Sequence, residues 1–341
     1  MNKKFKILIS MPYPKLDLLK KILKDIAYIE EKALSQEKLE EEMENGDYDA
    51  VICWEFSQKI TRNMILSANQ RLKIIATISV GYDHIDVDAA QERGIKIINA
   101  GSRNICASTY SVAEFAFWFM LMLVRKTRYV FDAVKKDSPA WSELSQGRGA
   151  MGSELFNKTL GIIGVGRIGS HVGRIGKGFC MDVIGYDPYV DSEIALQKGV
   201  RLVNKLEELL SRSDVISINC CLTHETNMML GKQEVSLMKD GVYIANPTRG
   251  EIVNEYVILE ALRKGRIAGY AADALTGEPP TEKTSPLLAA YRNKENLNLI
   301  ITPHIAWTCK EGVTKRYPLI IGNRIKAALM GKELEEWELL R

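Results

Sequence analysis

Three residues of this chain are of the types that could hold a carboxylate and pass a proton to the ketone beside it. Arg249 lies in ANPTRGEIV, Glu278 in DALTGEPP and His304 in LIITPHIAW. Each comes at or just past the end of a short apolar run that reads as a strand. In a parallel sheet, the crevice beyond the strand C-termini is where ligands bind. Arginine offers a planar, permanently charged fork suited to a carboxylate. Histidine titrates near neutrality and can deliver the proton that a carbonyl oxygen gains as hydride reaches its carbon. A carboxylate beside an imidazole orients it and favours its charged form. Taken singly, each residue has a plainer role: strand-end packing for the histidine, a surface ion pair for the arginine, turn chemistry for a glutamate before Pro279–Pro280. Sequence spacing does not show whether the three converge.

A hydride carrier is implied by a second motif, TLGIIGVGRIGSHVGRIGKGFCMDVIGYDP. Gly164, Gly166 and Gly169 form GxGxxG between an apolar strand and a helix, and Asp187 follows 18 residues after Gly169, at the end of the next strand. Gly164 allows the tight turn, Gly166 lets the backbone approach a pyrophosphate, and Gly169 lets helix and strand pack. The helix N-terminus presents N–H groups to phosphates, and Asp187 can accept the ribose hydroxyls. A chance glycine turn is the rival reading, but here strand, helix, second strand and acid all occur in order. The expected cofactor is NAD, whose nicotinamide carries the hydride. A carboxylate at position 187 would repel the 2′-phosphate of NADP, and Pro188–Ser192 contains no arginine or lysine to offset it.

The elements that must position these residues alternate. Strands are predicted at Phe5–Ser10, Tyr48–Cys53, Leu72–Thr77 and Ile95–Ile98, then at Thr159–Ile163, Asp182–Tyr186, Val200–Val203, Val215–Asn219, Gly241–Ala245, Ile267–Ala272 and Leu299–Thr302. The charged stretch Leu16–Gly46 reads as one or two helices with a solvated outer face. Such a βαβα order predicts α/β architecture with parallel, doubly wound sheets. Ser108–Lys136 reads as one long helix, apolar nearly all round, buried between domains or between subunits. A polar, glycine-bearing stretch follows, 137–153, and a last helix is expected at about Lys310–Met330.

Composition bounds the rest. At 341 residues the chain suits two domains. A net charge of +3 from 46 basic and 43 acidic residues leaves no nucleic-acid footprint. The six cysteines, at 53, 106, 180, 220, 221 and 309, show no CxxC pair and no metal spacing, so they read as reduced thiols and no metal is expected. MNKKFKILIS lacks the apolar segment of a signal peptide, and the ten-residue run Phe115–Val124 falls short of the about 20 residues a membrane span needs. A cytoplasmic protein with no membrane contact is expected.

At this level of detail the sequence resembles the D-isomer-specific 2-hydroxyacid dehydrogenases over essentially its whole length. SVGYDHID at 79–86, SVAEF at 111–115, GVGRIG at 164–169, NPTRG, DALTGEP and TPHIAW carry the likeness in order. The resemblance implies that Arg249 binds and polarises the substrate, that Glu278 pairs with the histidine, and that His304 donates the proton. It implies backbone contacts from Val80 and Gly81 to the substrate carboxylate. It implies cofactor contacts from Thr109, the glycine loop with Arg167 and Ile168, Asp187, Cys220, Cys221, Thr226, Pro247, Thr248, Arg249, Asp273 and His304. Cys221 and Pro247 depart from the family pattern. Glu278 argues against the formate-oxidising branch, where that acid is replaced. The family layout implies a Rossmann cofactor domain at 106–304, inserted in a flavodoxin-like substrate domain formed by 1–105 and 305–341, with the active site in the cleft between them. It also implies a homodimer using the helix from Ser108. The expected reaction interconverts a small 2-oxo acid and its D-2-hydroxy acid; SVGYDHID and TPHIAW look most like glyoxylate and hydroxypyruvate reductases, D-lactate dehydrogenases are the other likeness, and Trp54, Arg103 and Trp307 are candidate selectivity residues. The alternative is an NAD-sensing, corepressor-like binding protein on the same fold. An alanine dehydrogenase or a homocysteine-type hydrolase fits NPTRG and TPHIAW less well.

Overall fold

Two parallel sheets hold the strands of this chain. The computed structural model describes residues 4–11, 16–54, 58–101, 106–135, 138–147 and 151–333; Arg103 lies outside them. The chain divides into two units, 1–108 with 308–341, and 109–307.

In the first unit β1 (Phe5–Ile9), β2 (Ala27–Glu31), β3 (Ala50–Cys53), β4 (Ile74–Thr77) and β5 (Lys96–Ile98) are ordered β2-β1-β3-β4-β5, all parallel. This is the flavodoxin-like order, which reverses between β1 and β3. The stretch Leu16–Gly46 is not helix alone: it folds as helix Asp17–Leu23, strand β2 and helix Gln36–Asn45. β2 escapes a pattern reading because it lies at the sheet edge. Only Ala27 of its AYIEE is fully buried, so the strand carries no apolar alternation.

The second unit contains β6 (Thr159–Ile163), β7 (Asp182–Tyr186), β8 (Arg201–Leu202), β9 (Val215–Ile218), β10 (Val242–Asn246), β11 (Ile267–Ala272) and β12 (Leu299–Ile301). Their order, β12-β11-β10-β9-β6-β7-β8, is the parallel doubly wound order of a Rossmann sheet, with its switch point between β6 and β9. Helices cover both faces of this sheet, so its central strands are buried runs without alternation, as in β9, where all four residues are inside.

The expected single helix Ser108–Lys136 is two. Helix Thr109–Val124 packs on helix Arg167–Gly178 and on β10 and β11, its Ala116, Phe117, Phe119, Met120 and Leu123 sharing one buried cluster with Leu160, Ile162, Val183, Ala245 and Ala271. Lys126 then takes a left-handed conformation (φ +48°), and a second helix runs Thr127–Val134. A left-handed residue ends a helix by turning the chain off its axis. Periodicity did not signal the break because both helices carry apolar faces. At the C-terminal end, a wide π-type turn over Gly312–Arg316 precedes helix Tyr317–Leu329. Pro318 has no N–H to close a regular turn onto the chain before it, which accounts for the irregular start.

Candidate active site

The glycine loop of the second unit is built as its three roles require. Gly164 ends β6 with φ +87°, and a Cβ on it would lie 2.5 Å from Cys220 N, so the loops after β6 and β9 touch through it. A Cβ on Gly169 would lie 2.0 Å from Gly164 O, which only glycine permits. Around Gly166, by contrast, a Cβ would meet nothing within 4 Å. Gly166 caps helix Arg167–Gly178 without a side chain, so the first-turn N–H groups face that open space. The residues present therefore fit a dinucleotide pyrophosphate. Asp187 follows β7, and its carboxylate accepts from Val165 N (2.8 Å) and Tyr189 N (3.0 Å). Two carboxylate oxygens hold about four acceptor sites, so capacity remains for ribose hydroxyls. Tyr189, exposed, hydrogen-bonds Glu225 of the loop after β9. In that loop Thr226 Oγ1 donates to Cys221 O at 2.6 Å. Burial pushes the Cys220 thiol up to about 12, so it packs as a neutral group. The buried Oδ1 of Asn219, beside Gly164, has no hydrogen-bond partner among the described residues.

At the other half of the same sheet, β10, β11 and β12 each deliver one residue of the proposed trio. His304 Nδ1 lies 2.6 Å from Glu278 Oε2. A carboxylate can only accept, so the imidazole donates through Nδ1. The pair is largely enclosed, the side chains being 12% and 26% exposed. His304 has φ +52° and its N–H donates to Asp273 O at 2.7 Å. Its own carbonyl accepts from Trp307 Nε1 at 3.0 Å.

Asp273 is 1% exposed and holds this loop from below. One oxygen accepts from Thr302 Oγ1 (2.5 Å) and Ile305 N (2.9 Å), the other from Ala306 N (2.7 Å). Burial raises its pKa, against the pull of these donors. Both oxygens of Asp273 are thus turned to residues 302–306.

Arg249 is half-buried in the loop after β10, and its Nη1 donates to Thr248 O at 3.2 Å. The buried Asn246 shapes this loop, donating from Nδ2 to Arg249 O at 2.8 Å and accepting from Thr248 N and Oγ1 at 3.1 and 2.9 Å. Beneath it, the Tyr270 hydroxyl accepts from Asn246 Nδ2 at 3.3 Å. Gly250 joins the Arg249 loop to the Glu278 loop: a Cβ there would lie 2.2 Å from Leu275 C and 2.3 Å from Thr276 N. His304 and Glu278 are in direct contact, and Gly250, next to Arg249, is packed on the loop carrying Glu278. Val80 and Gly81 follow β4 in the first unit, where Asn99 Nδ2 donates to Val80 O at 2.7 Å and Ser79 Oγ to Gly81 O at 2.6 Å. Thr109 is buried at the start of helix Thr109–Val124.

Sequence reading missed Asn246, Glu251, Glu255 and Tyr270, all of which support these loops. An asparagine ending a buried strand is the one signal available, since a buried amide must find partners. The others act through partners too distant in sequence for any local pattern. Among the described residues no group of three or more histidine, cysteine or acidic side chains could hold a metal ion. No helix among them is long and apolar enough to cross a membrane.

Comparison with known proteins agrees with this geometry. Residues 117–306 match the model of the D-isomer specific 2-hydroxyacid dehydrogenase NAD binding domain. A D-3-phosphoglycerate dehydrogenase of Methanocaldococcus jannaschii is 36% identical over 316 residues, which are 92% of this chain and 56% of that one. The chain spans about half the length of the curated relatives it matches. Over whole chains, a D-lactate dehydrogenase from Aquifex aeolicus, solved with NAD and lactic acid, superposes with TM-score 0.77 at 31% identity, covering 96% of each. A glyoxylate reductase from Paecilomyes thermophila reaches TM-score 0.83 at 27% identity, covering 98% of each. The chain belongs to the D-isomer specific 2-hydroxyacid dehydrogenase family.

Proposed function

We propose that this protein interconverts a small 2-oxo acid and its D-2-hydroxy acid, with His304 as proton donor and Arg249 as substrate anchor. The observation that carries this reading is the 2.6 Å contact between His304 Nδ1 and Glu278 at the C-terminal ends of neighbouring strands. Bound NAD supplies the hydride. Glu278 fixes the imidazole so that Nε2 faces the substrate, and His304 protonates the carbonyl oxygen as the alcohol forms. The Arg249 guanidinium holds the carboxylate and polarises the carbonyl. Val80 and Gly81 are assigned to the substrate carboxylate through their backbone amides. The cofactor is assigned to the glycine loop with Arg167 and Ile168, to Asp187, Cys220, Cys221 and Thr226, and to Thr109, Pro247, Thr248 and Asp273. Unit 109–307 is taken as the cofactor domain and the other unit as the substrate domain.

The test is NADH oxidation with glyoxylate, hydroxypyruvate, pyruvate and phosphohydroxypyruvate, repeated with NADPH. Turnover of at least one is expected. NADH binding without any turnover would favour the NAD-sensing alternative.

Asp187 is proposed to set the preference for NAD over NADP. The comparison is kcat/KM for NADH and NADPH in wild type and Asp187→Ala. We expect NADH to be preferred, and the preference to shrink by roughly tenfold or more in the variant, because part of the discrimination is repulsive. An unchanged ratio would assign cofactor choice to other residues.

A homodimer in the cytoplasm is also proposed. Supporting the first, Trp118, Tyr129, Phe131 and Val134 of the two helices after residue 108 are exposed in the single chain. Supporting the second, the six cysteines show no CxxC pair and no spacing of a disulfide framework. Light scattering at micromolar concentration should give twice the 38.3 kDa of one chain; a stable monomer would refute the dimer.

A further inference from the structure

Glu255 is buried, 4% exposed, at the start of helix Glu255–Arg263, and no step of the chemistry above uses it. Its surroundings explain its presence. Oε1 accepts from Thr276 N at 2.8 Å, and Oε2 accepts from Ser285 Oγ at 2.5 Å. Thr276 and Ser285 are the two ends of the ten-residue segment that carries Glu278. One carboxyl group therefore clamps both ends of that loop. Ser285 Oγ in turn accepts from Leu288 N, capping helix Pro286–Arg292, so the clamp is tied to a regular element. Within the loop, Ser285 N donates to Thr281 O at 2.9 Å, and Thr281 N to Thr284 Oγ1 at 2.8 Å. Glu251 Oε1 adds a bond from Gly277 N at 3.0 Å, and Gly250 lets the neighbouring backbone press on Leu275 and Thr276.

We infer that Glu255 is a positioning residue for the Glu278–His304 pair, acting by clamping both ends of the Glu278 loop. The inference rests on the functional reading above only for its kinetic part. A buried carboxyl is costly to the fold, and here burial raises its pKa despite the donors around it. Replacing it by a small apolar residue would leave the Thr276 N–H and the Ser285 hydroxyl without their acceptor inside the protein. The loop would then sample positions in which Glu278 no longer meets His304 at 2.6 Å. A shift of about 1 Å in a group that orients the proton donor is enough to slow the chemical step while leaving cofactor binding alone.

The experiment combines hydrogen exchange with steady-state kinetics on the full chain. In Glu255→Ala, amides of segment 274–286 should exchange roughly tenfold faster or more, while those of β6, β7 and β9 keep wild-type protection. kcat should fall by about tenfold or more with KM for NADH within about twofold. Glu255→Gln keeps an oxygen for Thr276 and can reverse the sense of its bond to Ser285, so it should recover both readouts to within about threefold of wild type. A merely structural role predicts no such rescue with this kcat-against-KM split. Should the alanine variant not fold, Ser285→Ala removes one end of the clamp and must show the same pattern at smaller size. Wild-type exchange in segment 274–286, or wild-type kcat, in the folded variant overturns the inference. A wild-type protein inert toward every 2-oxo acid overturns the functional reading instead, and exchange still decides the clamp.

Discussion

His304→Ala should lower turnover of a 2-oxo acid by about a hundredfold or more while NADH affinity stays within a few-fold of wild type. The expectation rests on the division of labour between the ring nitrogens. Nδ1 donates to Glu278 at 2.6 Å, so the proton that reaches the substrate must leave through Nε2. The backbone bonds around His304 run from its N–H to Asp273 O and from Trp307 to its carbonyl. They do not depend on the imidazole, so the loop should survive its removal. His304→Asn is the companion variant, because asparagine tolerates φ +52° and separates loss of the imidazole from backbone strain. Both variants should bind NADH, seen by fluorescence titration, and both should be slow. Near-normal turnover in either would remove His304 from the proton-transfer step.

Arg249→Lys should cost kcat/KM for 2-oxo acids about a hundredfold, or roughly 2.7 kcal/mol of transition-state stabilisation. Lysine keeps the charge but not the planar fork that matches a carboxylate, so the substitution is not conservative at such a site. The loop that presents the side chain should persist, since Asn246 grips the Arg249 carbonyl and both donors of Thr248, none of which involves the guanidinium. The loss should therefore appear against substrate, with KM for NADH little changed. Unchanged kcat/KM in this variant would place the carboxylate anchor elsewhere.

The parallel, doubly wound α/β class and the glycine loop were legible from the sequence because each depends on local order, whereas the division into a Rossmann and a flavodoxin-like unit came only from the family resemblance. GxGxxG needs only a strand before it, a helix after it and an acid at the next strand end, and Gly164 at φ +87° meets the condition the motif states. Strand β2 was not legible. An edge strand with a half-wet face carries no apolar alternation, and AYIEE sits between two charged helices. The break at Lys126 was hidden because a lysine in a left-handed turn has no compositional mark. Nor were the supports of the site. Glu255 reaches Thr276 and Ser285 across 21 and 30 residues, and Asp273 reaches Ala306 across 33. Such pairings are set by where β10, β11 and β12 lie side by side, which no spacing along the chain encodes. Motif likeness names Asp273 as a cofactor contact. Its two oxygens, spent on Thr302, Ile305 and Ala306, show a second use that only the packed loops disclose.

The bare backbone at Gly250 has a mechanical meaning. With no side chain between them, the Arg249 loop and the Glu278 loop bear directly on each other, a Cβ at the contact being excluded by a 2.2 Å approach. Close-packed backbone transmits displacement instead of absorbing it. A shift of the Arg249 loop is therefore passed to the Glu278 loop. Under the proposed roles, the residue that grips the substrate and the residue that aims the proton donor thus share one stiff contact.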